Sequence, residues 1–106
     1  MNLHNLAKFR AERASGDFAR EIRETLEKSV GPHVRPFLDT PESVAECEDF
    51  ADACVAVLQA MSDFRGTDAH AEALSAAALA YRDANVRHQA WTLRMISLAL
   101  DFDPPA

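Results

Sequence analysis

The chain has 106 residues, of which 48% are hydrophobic, and it carries a formal net charge of −6. This length and apolar fraction suffice for one domain with a modest core of its own. Acidic residues concentrate in the middle, where residues 31–70 hold eight acidic and two basic side chains. An acidic chain without a basic patch binds phosphate backbones poorly, which argues against direct binding of nucleic acid.

The N-terminal segment carries charged residues within its first ten positions and has no long apolar run. These features are typical of neither a signal peptide nor a membrane-spanning helix, so we expect a cytoplasmic protein with no membrane contact. Few glycines and abundant Ala, Leu, Glu and Arg favour helix over sheet. No run alternates apolar and polar residues as a half-buried strand does. The sequence therefore predicts an all-α protein.

Residues 1–30 are predicted to form an N-terminal helical arm, which could break at Gly16. Its apolar residues recur every four positions and form one narrow stripe: Phe18, Ile22, Leu26 and Val30. Gly31 suits the left-handed position at a helix end, and Pro32 cannot continue the helix. Residues 31–41 contain three prolines and predict an extended connector. Three apolar side chains could pin this connector onto the helices: Val34, Phe37 and Leu38.

Two long helices are predicted to follow, forming an antiparallel hairpin over residues 41–102. The second helix begins at Pro41, because Thr40 is a good N-cap residue and proline fits the first helical position. It ends near Gly66, and Thr67 or Asp68 can cap the third helix. So short a connection brings the third helix back alongside the second. Core-type residues share one face of the second helix: Val44, Cys47, Ala51, Cys54, Leu58 and Met61. Its two cysteines are too far apart along one helix to form a disulfide, and we expect them to be reduced and to pack as small apolar side chains.

The third helix carries two apolar stripes rather than one. The first stripe recurs every seven residues in two rows, as an a/d seam: Leu74, Tyr81, His88, Met95 and Phe102, with Ala77, Ala84, Trp91 and Leu98. The second stripe lies about 140° around the helix and consists of Leu79, Val86, Leu93 and Leu100. A helix with two apolar stripes must be covered on both sides. A chain of this length can hardly supply both covers, so we expect a homodimer or a complex with another protein.

The first stripe is the expected partner-binding surface, because tryptophan is enriched in binding hot spots. The residues assigned to it are Tyr81, His88, Trp91, Met95, Leu98 and Phe102. On this assignment Leu100 and the rest of the second stripe pack against the second helix and hold the fold together. Trp91 in the chain's own core is an equal alternative, since the neighbouring alanines would also let the second helix approach closely.

Other kinds of site find less support in the residue pattern. Acidic residues crowd the first turns of the second helix and could either dock onto a basic surface or form a solvated face: Glu42, Glu46, Glu48, Asp49 and Asp52. The histidines and cysteines have none of the spacings of metal sites, so we expect no metal and no cofactor. The absence of a nucleophile motif and of a glycine-rich phosphate loop argues against an enzyme.

The last 20 residues, RHQAWTLRMISLALDFDPPA, contain a histidine followed by an apolar segment, a Met-Ile-Ser-Leu stretch beginning at Met95, and an aromatic followed by proline at Phe102 and Pro104. In these features the chain resembles the small quorum-sensing antiactivators of the TraM type, of which QslA is a functional relative. Asp101 stands where that pattern has a glycine. The resemblance implies a protein that binds a LuxR-type transcription factor and blocks its dimerisation or DNA binding.

The sequence thus predicts one helical domain over residues 1–106 that acts as a non-enzymatic regulatory antagonist of another protein. Three alternatives remain open at this point. The first is an acidic inhibitor of the phage type that mimics DNA, the second is a structural helical subunit of a larger assembly, and the third is a small helical enzyme. Salt sensitivity distinguishes the first alternative, because an acidic docking surface loses affinity steeply with salt.

Overall fold

Helices form nearly all of the protein in its computed structural model, which describes residues 3–102, with side chains over residues 12–100. Four α-helices lie within this range: α1 Leu3–Val30, α2 Arg35–Leu38, α3 Pro41–Asp63 and α4 Asp68–Phe102. A 3₁₀ turn at Pro32–Val34 joins α1 to α2. The described residues contain no strand, and α3 and α4 pair as a hairpin. The predicted all-α fold is therefore confirmed, and α1 runs through Gly16 without a break.

The boundaries of α3 and α4 coincide with the predicted capping residues. Thr40 has an extended backbone, and its Oγ1 accepts a hydrogen bond from the backbone N–H of Ser43 at 3.2 Å. At the start of α4, the Oγ1 of Thr67 accepts from the backbone N–H of His70 at 3.1 Å. Gly66 has a φ of +81°, a conformation that glycine adopts without steric cost. Local chemistry therefore turns the chain back between the two long helices.

The connector between α1 and α3 is helical, so the expectation of an extended segment is wrong. Pro32 is the first residue of the 3₁₀ turn and Pro36 is the second residue of α2, positions where the missing N–H of proline leaves no hydrogen bond unmade. The predicted anchoring is confirmed: Val34 and Leu38 are buried, and Phe37 packs against the core.

The core forms where α1, the connector, the first half of α3 and the second half of α4 meet. Its buried residues are Ala19, Val34, Leu38, Cys47, Ala51, Trp91, Met95 and Ala99. The predicted arm α1 lies against α3, where the Ser15 hydroxyl donates a hydrogen bond to the Asp52 carboxylate. The outer half of the hairpin, residues 52–83, contains no buried side chain. Leu58 and Met61, predicted on the core face of α3, are mostly exposed there.

Cys47 should be nearly inert toward thiol reagents in the folded protein. Its side chain is buried, and this burial raises the pKa of the thiol from 9.0 to about 11. The reactive thiolate at neutral pH is thereby reduced on the order of 100-fold. In a Cys54→Ser variant, alkylation by iodoacetamide followed by mass spectrometry should be slower by at least this factor in buffer than in denaturant. Similar rates in both conditions would contradict the packing of Cys47 in the core.

Candidate functional site

The first stripe of α4 faces the interior of the molecule. Trp91 and Met95 are 5% and 2% exposed. The Nε1–H of Trp91 donates a hydrogen bond to the Oγ of Ser43 at 2.9 Å, and that hydroxyl donates in turn to the carbonyl oxygen of Phe37 at 2.6 Å. These bonds satisfy the single polar atom of a buried indole. Trp91 is therefore a core residue that joins α4 to the start of α3.

His88, also on the first stripe, lies in a stack of aromatic rings that bridges α3 and α4. Its ring is nearly parallel to that of Phe50, with centroids 4.1 Å apart, and the Trp91 ring centroid lies at 5.2 Å. Tyr81 adjoins Phe50 at 6.0 Å. The stack extends the contact between the two helices from the core toward the outer half of the hairpin.

Burial shifts the pKa values of His88 and its neighbour Glu46. The Nδ1 of His88 lies 3.8 Å from the Oε1 of Glu46 and is buried without a hydrogen-bond partner among the described atoms. Burial lowers the pKa of His88. Burial also raises the pKa of Glu46, with the positive charge of Arg87 opposing and the negative charge of Asp49 adding to the shift. Both shifts favour the neutral forms of the two groups.

The assignment of the two stripes made from the sequence is thus reversed in the structure. Trp91 and Met95 lie in the core, Leu98 packs against it, and His88 is half-buried in the ring stack. Tyr81 remains 37% exposed. Phe102 ends α4, and its side chain lies outside the described residues. The alanines of the first stripe let α3 and the connector pack closely against α4. Trp91 in the chain's own core is the alternative that the sequence left open.

The second stripe lies on the opposite face of α4 and is open to solvent. Its four residues retain half to two thirds of their accessible surface: Leu79 51%, Val86 64%, Leu93 66% and Leu100 65%. They form a row about 32 Å long at 1.5 Å per residue. Together they expose on the order of 400 Å² of apolar surface, a patch size that marks interaction sites on soluble proteins. Leu100, expected to hold the fold together, belongs to this exposed row.

Short side chains border the second stripe on one side. Ala90 and Ser97 are exposed and lie next to Leu93 on the helix surface. Because the distance between packed helices depends on the side chains at their contact, these residues leave room for a second helix to approach α4 closely. The outward face of α4 therefore combines a continuous apolar row with an accessible backbone.

The acidic cluster at the start of α3 lies mostly in solvent. Glu46 is half-buried beside His88. The other four members are exposed, although Asp52 accepts the hydrogen bond from Ser15: Glu42, Glu48, Asp49 and Asp52. One of the five charges is thus partly withdrawn from solvent.

A groove between α1 and α4 is a site that sequence reasoning missed. It encloses about 330 Å³ and is lined by Phe18, Glu21, Ile22, Thr25, Leu26, Ser29, His88, Trp91 and Thr92. The four-residue spacing of Phe18, Ile22 and Leu26 predicted an apolar stripe on α1, but periodicity within one helix carries no information about the gap between two helices. Among the described residues, no cluster of His, Cys, Asp and Glu could hold a metal ion.

Replacing Trp91 should destabilise the fold, whereas replacing Leu93 should not. Trp91→Ala removes a buried side chain and leaves a cavity, and we expect it to lower the free energy of unfolding by about 3–5 kcal/mol. Leu93→Ala removes mostly exposed surface and should change the free energy by no more than about 0.5 kcal/mol. Urea denaturation followed by circular dichroism measures both. Equal losses would contradict the assignment of the two faces.

Acidification should destabilise the protein through His88. Because burial lowers its pKa below 6.5, the unfolded chain binds this proton more readily. The free energy of unfolding should therefore fall as the pH drops below about 6.5, and the loss should persist below the folded-state pKa. The raised pKa of Glu46 acts in the opposite sense, because the folded state takes up that proton first.

The His88→Gln variant should lose less stability than the wild type between about pH 7.5 and 5.5, since Gln has no such proton to bind. Urea denaturation at both pH values gives the comparison. An unchanged dependence in His88→Gln would rule out His88 as the source of the acid sensitivity.

No protein-family model, curated protein or solved structure matches the chain. Within residues 3–102, no helix is long and apolar enough to cross a membrane.

Proposed function

We propose that this chain is a non-enzymatic regulatory protein of the cytoplasm that binds another protein through the second stripe of α4. The observation that carries the proposal is the exposure of Leu79, Val86, Leu93 and Leu100 on a helix whose opposite face is buried. Covering on the order of 400 Å² of apolar surface contributes about 10 kcal/mol at 25 cal/mol/Å². The entropic cost of association is subtracted from that gain, and the remainder is the binding affinity.

The spacing of the second stripe specifies the kind of surface that fits it. Apolar residues repeated every seven positions insert as knobs between the side chains of a facing helix. The partner surface therefore consists of one or more helices with an apolar face. A second copy of α4 meets this requirement, and we propose a homodimer as one state of the protein.

The antagonist role rests on the resemblance of the C-terminal 20 residues to quorum-sensing antiactivators. By that likeness the target is a LuxR-type transcription factor, whose dimerisation or DNA binding is blocked. Competition supplies the mechanism: a helix with an exposed apolar row occupies a surface that the target needs. Leu93 and Leu100 are the expected anchors, since both belong to the resembling segment and both are about two thirds exposed.

Of the alternatives, the DNA mimic fits the structure less well. It needs an array of outward charges, whereas Glu46 of the acidic cluster is half-buried and Asp52 is hydrogen-bonded to Ser15. A structural subunit of a larger assembly would use the same second stripe, and it differs from a regulator in forming a permanent complex. Reversible binding at micromolar concentration would favour the regulator.

Polar substitution in the second stripe should abolish association while sparing the fold. The Val86→Ser/Leu93→Ser variant should weaken self-association, and binding to a purified LuxR-type factor of the native host, by about 30-fold or more, the scale of a binding hot spot. Its melting temperature should stay close to that of the wild type, because both side chains are exposed. Light scattering and calorimetric titration measure the two kinds of association.

A charge-neutralised variant serves as the matched control. Glu42→Gln/Glu48→Gln/Asp49→Asn removes three of the four exposed acidic residues of the cluster and leaves Asp52, which is bonded to Ser15. The variant should retain most of the affinity, because exposed ion pairs each contribute less than about 1 kcal/mol. Complete loss of binding in this triple variant, with a steep salt dependence in the wild type, would favour the DNA mimic instead. Wild-type protein that stays monomeric and binds no LuxR-type factor would contradict the proposed function.

A further inference from the structure

The groove between α1 and α4 lies where two long helices of the bundle fail to meet. Both helices pack on α3, but they touch each other little. α1 contributes Phe18, Ile22 and Leu26 to the groove, and α4 contributes His88 and Trp91. Three long helices therefore occupy three positions of a four-helix arrangement and leave the fourth open.

The shape of the groove distinguishes a helix from a small molecule as its occupant. Its lining covers three turns of α1, and the residues along its rim are exposed: Glu21, Thr25 and Ser29. Small-molecule sites bury most of the ligand surface, which a groove open along one side does not. A space of about 150 Å³ holds one benzene-sized group. The 330 Å³ of this groove therefore accommodates about two apolar side chains, such as the anchors of a docked helix.

The charge at the rim of the groove indicates which polar side chain a docked helix carries beside its two apolar anchors. Glu21 carries the only Asp, Glu, Lys or Arg side chain among the lining residues. Among the described residues, none forms an ion pair with the Glu21 carboxylate. The adjacent Arg20 pairs with Asp17 and Glu24. A basic side chain beside the anchors would match Glu21 and the negative charge of the whole chain.

We propose that the α1/α4 groove binds an amphipathic helix of a partner protein, through two apolar side chains one turn apart and a neighbouring lysine or arginine. The bound helix occupies the fourth position of the bundle. This inference rests on the proposed function only in that the ligand is a protein segment. The groove and the second stripe lie on different faces of α4, since Thr92 and Leu93 point about 100° apart.

A designed peptide tests the groove directly. The probe is an amidated helix of about four turns with two leucines four residues apart, a lysine beside them, and alanine and glutamine elsewhere. Trp91 is the only tryptophan of the chain and lines the groove, so its fluorescence reports the occupant. We expect a saturable change in Trp91 emission with this peptide and none with a peptide in which glutamine replaces both leucines.

Matched variants locate the binding. Phe18→Ala removes a groove wall that is 37% exposed, and it should weaken peptide binding by about tenfold or more. Phe64→Ala alters a phenylalanine of similar exposure, 41%, at the end of α3, and it should leave peptide affinity unchanged. Glu21→Gln should reduce the salt dependence of binding, whereas Glu48→Gln should not.

Several results would overturn the proposal. One is the absence of peptide binding to the wild type, and another is a peptide affinity in Phe18→Ala equal to that of the wild type. A third is a change of Trp91 emission with protein concentration alone, which would identify a second copy of the chain as the occupant. The Val86→Ser/Leu93→Ser variant separates the two proposals. If this variant still binds the LuxR-type factor and self-associates while the peptide binds as expected, only the proposed function fails. If it loses peptide binding in step with self-association, the groove assignment fails.

Discussion

The hydroxyl of Ser43 determines which face of α4 turns inward. This group is 1% exposed, accepts the indole N–H of Trp91, and donates to the carbonyl oxygen of Phe37. One atom thus joins α4, the first turn of α3 and the connector. A buried indole N–H without a partner would cost about 1–3 kcal/mol. Rotation of α4 about its axis would break this bond and expose the largest side chain of the core, so the orientation of α4 is strongly constrained.

Helix geometry then exposes the second stripe. Leu93 lies about 200° around the helix from Trp91, so the same α-helix cannot bury both. α3 covers the inward face of α4, and α1 leans on α3 rather than reaching around to the far side. The α1/α4 groove and the exposed apolar row are therefore two results of one arrangement, in which three long helices share a single core at one end of the molecule.

Local chemistry was predictable from the sequence, whereas long-range choices were not. The caps at Thr40 and Thr67, the hairpin and the existence of two stripes all follow from neighbouring residues. Periodicity specifies the angle between two stripes but not which of them turns inward. That choice depends on the bond between Trp91 and Ser43, which lie 48 residues apart in the chain. The groove depends on the packing of α1 against α3 rather than α4. The helical connector depends on the positions of Pro32 and Pro36 within their turns.

The outer half of the hairpin, which lacks buried side chains, should give the two ends of the exposed row different dynamics. Because residues 52–83 contain no buried side chain, we expect their amide protons to exchange through local opening, at free energies well below that of global unfolding. We expect those around Trp91 to exchange only when the core opens. A ligand that contacts Leu79 must then order a fluctuating segment, while one that contacts Leu93 meets a rigid surface. Affinity per contact therefore decreases along α4 toward its N-terminus, and short ligands gain most at the C-terminal end.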